Sequence, residues 1–125
     1  LMLKNKKISI YGTGKQVRDF TYIDDVLNLI NAIIIKYKNK KNCFEVFNSG
    51  KGECINILNL INLISSKLKL KPKLQQKSKQ IGDVNFTNSS SLKINKLLKV
   101  KPEIGLDKGI DQFINWYSSI GKYIK

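Results

Sequence analysis

The chain has 125 residues, which allows one domain of ordinary size rather than two independent hydrophobic cores. With 42% hydrophobic and 26% charged residues it is expected to fold, and 23 basic against 9 acidic residues give it a net charge of +14. Histidine is absent, which excludes a histidine general base, a Ser–His–Asp triad and histidine metal ligands, and the two cysteines alone cannot form a zinc site.

The first third of the chain is predicted to form a strand, a glycine turn and a long helix. Residues 8–11 alternate apolar and polar side chains, which predicts a strand, and the two glycines that follow predict a turn. Residues 17–23 are extended in character, and Asp24 or Asp25 is predicted to cap a helix that ends near Tyr37. Because this helix is apolar over a wide arc, we expect it to be an interior helix, buried on more than one side.

The remaining elements alternate between short extended segments and helices. Cys43 to Phe47 is rich in β-forming residues and is predicted to be a strand. Residues 57–68 repeat apolar side chains at three- and four-residue spacing, so they predict a helix, and Pro72 follows its end. Residues 74–81 are expected to be extended, and Gly82-Asp83 predicts a turn.

Two shorter signals complete the chain. Ser90 is predicted to cap a short helix that Pro102 stops. A last helix begins near Asp107, and its spacing places one apolar stripe on it: Leu106, Ile110, Phe113, Ile114 and Tyr117. The aromatic residues Phe113, Trp116 and Tyr117 cluster on this helix, which is expected to belong to the core. The pattern as a whole predicts one compact α/β unit.

The high positive charge admits two interpretations. The lysines are scattered, and the densest runs, residues 36–41 and 67–73, lie where helices are predicted to end and where cations suit the helix dipole. This favours a solvated basic surface over a nucleic-acid-binding module, which stays open as an alternative. No apolar run is long enough to cross a membrane, and no signal peptide is visible, so we expect a cytoplasmic protein without a membrane partner. Cys43 and Cys54 are expected to be free thiols, buried or half-buried.

Two patterns that suggest dinucleotide chemistry fail on inspection. Gly12-Thr13-Gly14 supplies two glycines, but Val17 stands at the third position, and no helix begins before Asp25 to hold a pyrophosphate. Tyr-x-x-x-Lys occurs twice, a frequency that chance explains in so lysine-rich a chain. We therefore assign no catalytic, cofactor-binding or metal-binding residue to this chain.

Four ordered segments carry a resemblance to a known family. Residues 11–26 resemble Y-G-x-G-x-Q-x-R-D-F-x-Y-V-D-D-V, residues 44–51 resemble V-Y-N-I-G-S-G-K, and residues 82–102 fit G-D-V-x-x-T-x-A-D-x-S-K-A-x-x-L-L-G-Y-K-P without a gap. Residues 109–117 resemble the closing G-(x)4-I-E-W-Y. The chain thus resembles the NAD-dependent nucleotide-sugar epimerases and dehydratases, the extended short-chain dehydrogenase/reductase family.

The resemblance implies a part of an enzyme. In that family the nucleotide-binding glycines and the catalytic Tyr-x-x-x-Lys precede all of these segments, so residues 1–125 correspond to the C-terminal substrate-binding region, an incomplete Rossmann-type fold with a small α/β lobe. The implied parent is a UDP-sugar 4-epimerase or a 4,6-dehydratase that uses NAD, takes a UDP- or dTDP-sugar and forms a homodimer. The piece alone is expected to be inactive, and a non-catalytic structural remnant is a further alternative.

The family's substrate-binding residues transfer to five positions. Arg18 stands at the arginine that grips the diphosphate, although it could instead pair with Asp19 or Asp24 at the surface. The other four, with their alternatives, are Asn48 (phosphate ligand or loop cap), Asp83 (ribose ligand or turn residue), Tyr11 (nucleobase stacking or core) and Gln80. Gln80 replaces a second phosphate-binding arginine, a variant that resembles some uronic-acid-sugar 4-epimerases and favours a UDP-glucuronate 4-epimerase-like protein.

Overall fold

A computed structural model describes residues 1–123 and shows an α/β chain that divides into two compact units. The strand unit comprises residues 1–18 and 54–87, and the helical unit comprises residues 19–53 together with the chain from residue 88 onward. The single unit that the sequence predicted is therefore wrong. The elements in chain order are β1 (Ile8–Tyr11), β2 (Val17–Asp19), α1 (Ile23–Tyr37), β3 (Cys54–Asn56), α2 (Ile57–Leu68), β4 (Leu74–Lys77), α3 (Leu92–Leu98) and α4 (Leu106–Ile120), with short 3-10 turns at Met2–Lys4 and Gly121–Tyr123.

Two strand pairs and one helix build the strand unit. β1 pairs in parallel with β4, with Ile8 opposite Leu74, and β2 pairs with β3. The side chains of Ile10 and Ile61 are buried, so β1 and α2 supply the core of this unit. Gly14 is required where it stands, because its φ is +73° and a Cβ there would lie 2.8 Å from Cγ of Leu58.

The helical unit has a small core and a backbone clamp. Leu29 of α1 and Ile94 of α3 are each only 1% exposed. Asp25, on the first turn of α1, is 4% exposed, and its carboxylate accepts hydrogen bonds from the backbone N–H groups of Glu103 and Ile104 at 3.0 and 2.9 Å. Asp25 is thus a tether for a distant loop. The predicted capping role is wrong, since the N-cap of α1 is Tyr22, without a side-chain cap.

The prediction that α1 is an interior helix is also wrong. Ile23, Leu27, Ile30 and Ile34 follow one another at helical spacing and are between 47% and 59% exposed. We call these four residues the α1 stripe. Only Asp25 and Leu29 of this helix are buried. The periodicity identified an apolar surface correctly, but the described part of the chain does not cover it.

Four smaller predictions need correction. Residues 43–47 form no strand, and Phe44 is 90% exposed, because no described strand pairs with this segment. The N-cap of α3 is Ser91, while the hydroxyl of Ser90 accepts from the backbone N–H of Leu92. Phe113 and Trp116 contact each other at 5.6 Å between ring centroids but are about half exposed, so they are not core residues. Cys43 is exposed; both cysteines are free, as expected.

No helix within residues 1–123 combines the length and the apolar character needed to cross a bilayer.

Candidate functional site

Asp83 is the centre of a polar network in the strand unit. Its Oδ1 accepts a hydrogen bond from Nη2 of Arg18, with which it forms an ion pair, and its Oδ2 accepts from Nε2 of Gln16 at 3.1 Å. Nε2 of Gln16 also donates to the backbone oxygen of Tyr11 at 2.6 Å. The side chains of Arg18 and Asp83 are 23% and 24% exposed, so much of this pair is shielded from solvent. The network joins three of the five predicted site residues.

Arg18 is anchored and still has unused donors. Its Nη1 donates to the backbone oxygen of Val17 at 2.8 Å, and its Nη2 donates to that of Val84 at 2.7 Å as well as to Asp83. These bonds use three of the five N–H groups of a guanidinium and leave two without a partner among residues 1–123. The acidic partner is Asp83, not Asp19 or Asp24, so the surface pairing considered from the sequence is wrong. The remaining N–H groups are available to an anion.

A tight turn sets the position of Asp83. The backbone N–H of Asp83 donates to the backbone oxygen of Gln80 at 3.2 Å, and Gly82 at the third position has φ +82°. The positive φ is the reason that this turn requires glycine. Lack of space is not the reason, because a Cβ on Gly82 would meet nothing within 4 Å. The side chain of Gln80 is exposed at the start of the turn. The turn therefore carries the side-chain amide of Gln80 at its first position and the carboxylate of Asp83 at its fourth.

Tyr11 is a surface aromatic residue rather than a core residue. It is 38% exposed and lines an open cavity of about 710 Å³ together with Gln76, Lys77 and Ser78. Nζ of Lys77 lies 5.8 Å from the centroid of its ring. The ring face is thus accessible beside a cation, an arrangement on which a planar base can stack.

A second cavity lies on the glycine turn of the strand unit and is lined by lysine. It has a volume of about 370 Å³, and its lining includes Lys15, Gln16, Lys79 and Asn85. Nζ of Lys79 donates to Oδ1 of Asn85 at 2.9 Å, which holds that cation in place. Because Gln16 also contacts Asp83, the cavity adjoins the Arg18–Asp83 pair through one side chain.

Asn48 is the predicted site residue that the network does not include. It lies in the helical unit, in the extended segment after residue 43, and its side chain is exposed. It makes no hydrogen bond with any of residues 1–123, so it does not cap the loop backbone. The other four predicted residues, Arg18, Asp83, Tyr11 and Gln80, all lie in the strand unit.

Comparison with known proteins shows similarity to sugar-nucleotide enzymes. Residues 1–50 match the model of the NAD dependent epimerase/dehydratase family. The UDP-glucuronate 4-epimerase of Thermodesulfobacterium geofontis is 33% identical over 90% of this chain, and an uncharacterized protein of Methanocaldococcus jannaschii is 35% identical over 93%. The solved UDP-glucuronic acid 4-epimerase of Bacillus cereus, in complex with UDP-glucuronic acid and NAD, is 28% identical over 95% of this chain, with a TM-score of 0.84. The chain is therefore similar to members of this epimerase/dehydratase family.

The match to this epimerase/dehydratase family covers only part of its members. The chain spans about a third of the length of the curated relatives it matches, 34% in both cases above, and 37% of the Bacillus cereus chain. It matches the C-terminal part of these proteins. The mixed α/β arrangement with parallel strands is that of the Rossmann-like extended short-chain dehydrogenase/reductase structures, as the sequence predicted.

The glycine turn of this chain does not fit a dinucleotide. A pyrophosphate is held by a helix N-terminus that directly follows the glycines, whereas Gly12 and Gly14 lead into β2. The space beside Gly14 is filled by Leu58 and Ile10, so no cradle is left for a phosphate. Residues 1–123 also contain no cluster of three or more histidine, cysteine or acidic side chains that could hold a metal ion.

Gln16 is the site residue that the sequence analysis missed. The residue falls inside the matched segment 11–26, but nothing in the sequence shows that its side chain turns inward. The signal that could have singled it out is the motif itself, which has glutamine at this position.

Proposed function

We propose that the chain is the substrate-binding part of an NAD-dependent nucleotide-sugar 4-epimerase or dehydratase, and that it binds the nucleoside diphosphate of the substrate. The UDP-glucuronate 4-epimerase relatives and the Gln80 variant favour a UDP-uronic acid sugar as the substrate. NAD is proposed as the cofactor of the complete enzyme; the glycine turn of this chain does not contribute to its site. A cytoplasmic location and a homodimeric parent stay predictions.

The observation that carries the proposal is the anchored guanidinium of Arg18. A nucleoside diphosphate presents two adjacent anionic phosphates, which a planar, permanently charged fork can contact through two parallel hydrogen bonds. Arg18 keeps two N–H groups free while backbone oxygens and Asp83 fix its position. Such an arrangement lowers the entropy lost on binding, because the side chain is already ordered.

The local charge also supports a diphosphate. Arg18, Lys15 and Lys79 contribute three positive charges around the network, and Asp83 contributes one negative charge, so the balance is 3 − 1 = +2. A diphosphate ester carries a negative charge of about two to three near neutral pH, which this balance complements. The carboxylate does not abolish the anion site. It orients the arginine and offers an acceptor to ribose hydroxyls.

The remaining roles are proposed residue by residue. Tyr11 would stack on the nucleobase, since its ring is accessible in an open cavity. Asp83 would accept hydrogen bonds from the ribose, and Gln80 would contact a phosphate through its exposed amide. The phosphate role of Asn48 rests on the family resemblance alone.

The exposed α1 stripe supports the view that this chain is part of a larger enzyme. Four large aliphatic side chains, each about half exposed, lie at helical spacing along one helix, and apolar side chains gathered on one surface are typical of an interaction surface. The relatives contain about twice as much additional chain as the part matched here. We propose that the remainder of the enzyme covers this stripe.

Calorimetric titration of the 125-residue chain with UDP tests the proposal. Arg18→Ala is expected to weaken binding by at least tenfold, because hydrogen bonds to charged groups contribute about 1.5–3 kcal/mol. Arg18→Lys retains the charge but loses the planar fork, so an intermediate loss is expected.

Lys108→Ala is the matched control, since it removes one positive charge from an exposed position on α4. It is expected to leave UDP affinity within twofold of the unchanged chain. An Arg18→Ala chain that binds UDP normally, or an equal loss in both variants, would show that the guanidinium has no specific role.

A further inference from the structure

We propose that Gln16 is a positioning residue of the nucleotide site, which holds the Asp83 carboxylate in the orientation that a nucleoside diphosphate requires. The inference rests on the proposed function, because it concerns the same site. It adds a residue that the family resemblance did not assign and states how that residue acts.

The geometry of the Gln16 amide is unambiguous. The side chain is 8% exposed, and its Nε2 lies 2.6 Å from the backbone oxygen of Tyr11 and 3.1 Å from Oδ2 of Asp83. Both neighbours are pure acceptors, so only the NH₂ group can face them. A rotated amide would place its oxygen against two other oxygens. The donor orientation is therefore dictated by the surroundings.

Gln16 completes a two-sided grip on Asp83. Arg18 donates to one oxygen of the carboxylate and Gln16 donates to the other, so rotation of the carboxylate about its bond to Cβ is blocked from both sides. Without the amide, Oδ2 would be free to turn toward the guanidinium. The carboxylate would then compete for the N–H groups that a diphosphate needs.

The Gln16 amide also connects Tyr11 to Asp83. Gln16 joins the backbone of Tyr11 to a side chain 67 positions away from Gln16 in the sequence. The distance between a base stacked on Tyr11 and a ribose on Asp83 is fixed by the nucleoside itself. Because the Gln16 amide holds both Tyr11 and Asp83, it can set their separation to that of a base and a ribose. Inorganic pyrophosphate has neither group, so its binding does not depend on this separation.

Two features show that this placement is not simply a stable packing solution. Oε1 of Gln16 is buried and has no hydrogen-bond partner among residues 1–123, which is unfavourable for folding. Gly12 lies so close that a Cβ there would be 3.0 Å from Nε2 of Gln16. Where the Gln16 amide contacts Asp83, the chain therefore has a buried oxygen without a hydrogen-bond partner, Oε1 of Gln16, and a neighbouring residue without a side chain, Gly12.

A double-mutant cycle measured by calorimetry with UDP tests the proposal. Gln16→Met removes the donor at similar size, and Asp83→Asn removes the carboxylate. Each is expected to weaken UDP binding about tenfold, and the double variant is also expected to lose about tenfold rather than a hundredfold, because both act through one contact. Gln16→Met is expected to change the affinity for inorganic pyrophosphate by less than threefold.

Two further measurements keep the outcome decisive. If Gln16→Met has a melting temperature far below that of the unchanged chain, Gln16→Leu serves as a second uncharged variant without a donor and is expected to show the same non-additivity. By NMR, the side-chain NH₂ resonances of Gln16 are expected to shift on Asp83→Asn in the absence of nucleotide, because the hydrogen bond changes its acceptor.

Failure of the proposed function and failure of the positioning role of Gln16 give different results. An unchanged chain that does not bind UDP contradicts the proposed function. UDP binding by the unchanged chain with additive losses in the cycle, or with no loss from Gln16→Met, overturns the positioning role alone. Unchanged Gln16 NH₂ resonances in Asp83→Asn overturn the contact itself.

Discussion

The tether made by Asp25 gives the sharpest stability prediction. This nearly buried carboxylate accepts two backbone hydrogen bonds from a loop 78 and 79 residues away in sequence. Asp25→Ala removes both acceptors and leaves the two N–H groups of that loop without a protein partner. Asp25→Asn keeps one oxygen and places an NH₂ group against the other donor.

The magnitude follows from the two bonds. Hydrogen bonds to a charged group contribute about 1.5–3 kcal/mol each, and the loop lies close enough to solvent to favour the lower value. Asp25→Ala is therefore expected to lower the free energy of unfolding by about 3 kcal/mol, and Asp25→Asn by about half of that. Asp24, the exposed neighbour on the same turn, provides the control, and Asp24→Ala should cost only about 0.3–1 kcal/mol through the helix dipole.

Urea denaturation followed by circular dichroism measures the difference. With an m-value of about 1.5 kcal/mol per molar urea, Asp25→Ala is expected to lower the midpoint by about 2 M. The reasoning is refuted if the unfolding free energies of Asp25→Ala and Asp24→Ala agree within about 0.5 kcal/mol.

Two further predictions concern other parts of the helical unit. Lys99 ends α3 with φ +58°, so Lys99→Gly is expected to raise the free energy of unfolding by about 0.5 kcal/mol, whereas Lys96→Gly inside the same helix should lower it by about 1 kcal/mol; urea midpoints that move in the same direction would contradict this. The combined change Leu27→Glu and Ile34→Lys in the α1 stripe is expected to reduce binding of an apolar fluorescent dye severalfold, while Asn31→Lys on the same helix leaves it unchanged. Equal dye fluorescence in all three proteins would show that the stripe is not an accessible apolar surface.

The sequence predicted best those elements whose signals are local. The bounds of α2 follow from its apolar spacing and from Pro72 beyond its end. The side chain of Asn56 caps the helix by accepting from the N–H of Asn59 at 2.8 Å, which is also a short-range signal. The parallel partner of β1 was not predictable in the same way, because it lies 66 residues further along the chain.

Two errors share one physical cause. Residues 43–47 have the composition of a strand, but no described strand pairs with them. α1 has the apolar arc of a buried helix, but no described residues cover its exposed apolar side. Propensity and periodicity report what a segment is suited to contact. They do not report whether the described chain supplies that contact.

In the candidate site, too, single residues were predictable from the sequence, whereas contacts between distant positions were not. The resemblance predicted that Arg18 and Asp83 belong to one site, but their ion pair joins positions 65 residues apart and could be seen only in the fold. Lys99 stands where the matched motif has glycine. The structure shows this lysine in the left-handed conformation that glycine would take.

The central claim, that the strand unit holds a nucleoside diphosphate, is tested most directly by an NMR titration of the 125-residue chain with UDP. The account predicts saturable backbone shifts concentrated at Tyr11, Gln16, Arg18 and Asp83. Shifts that instead spread over exposed lysines such as those of residues 36–41, without saturation, would contradict it.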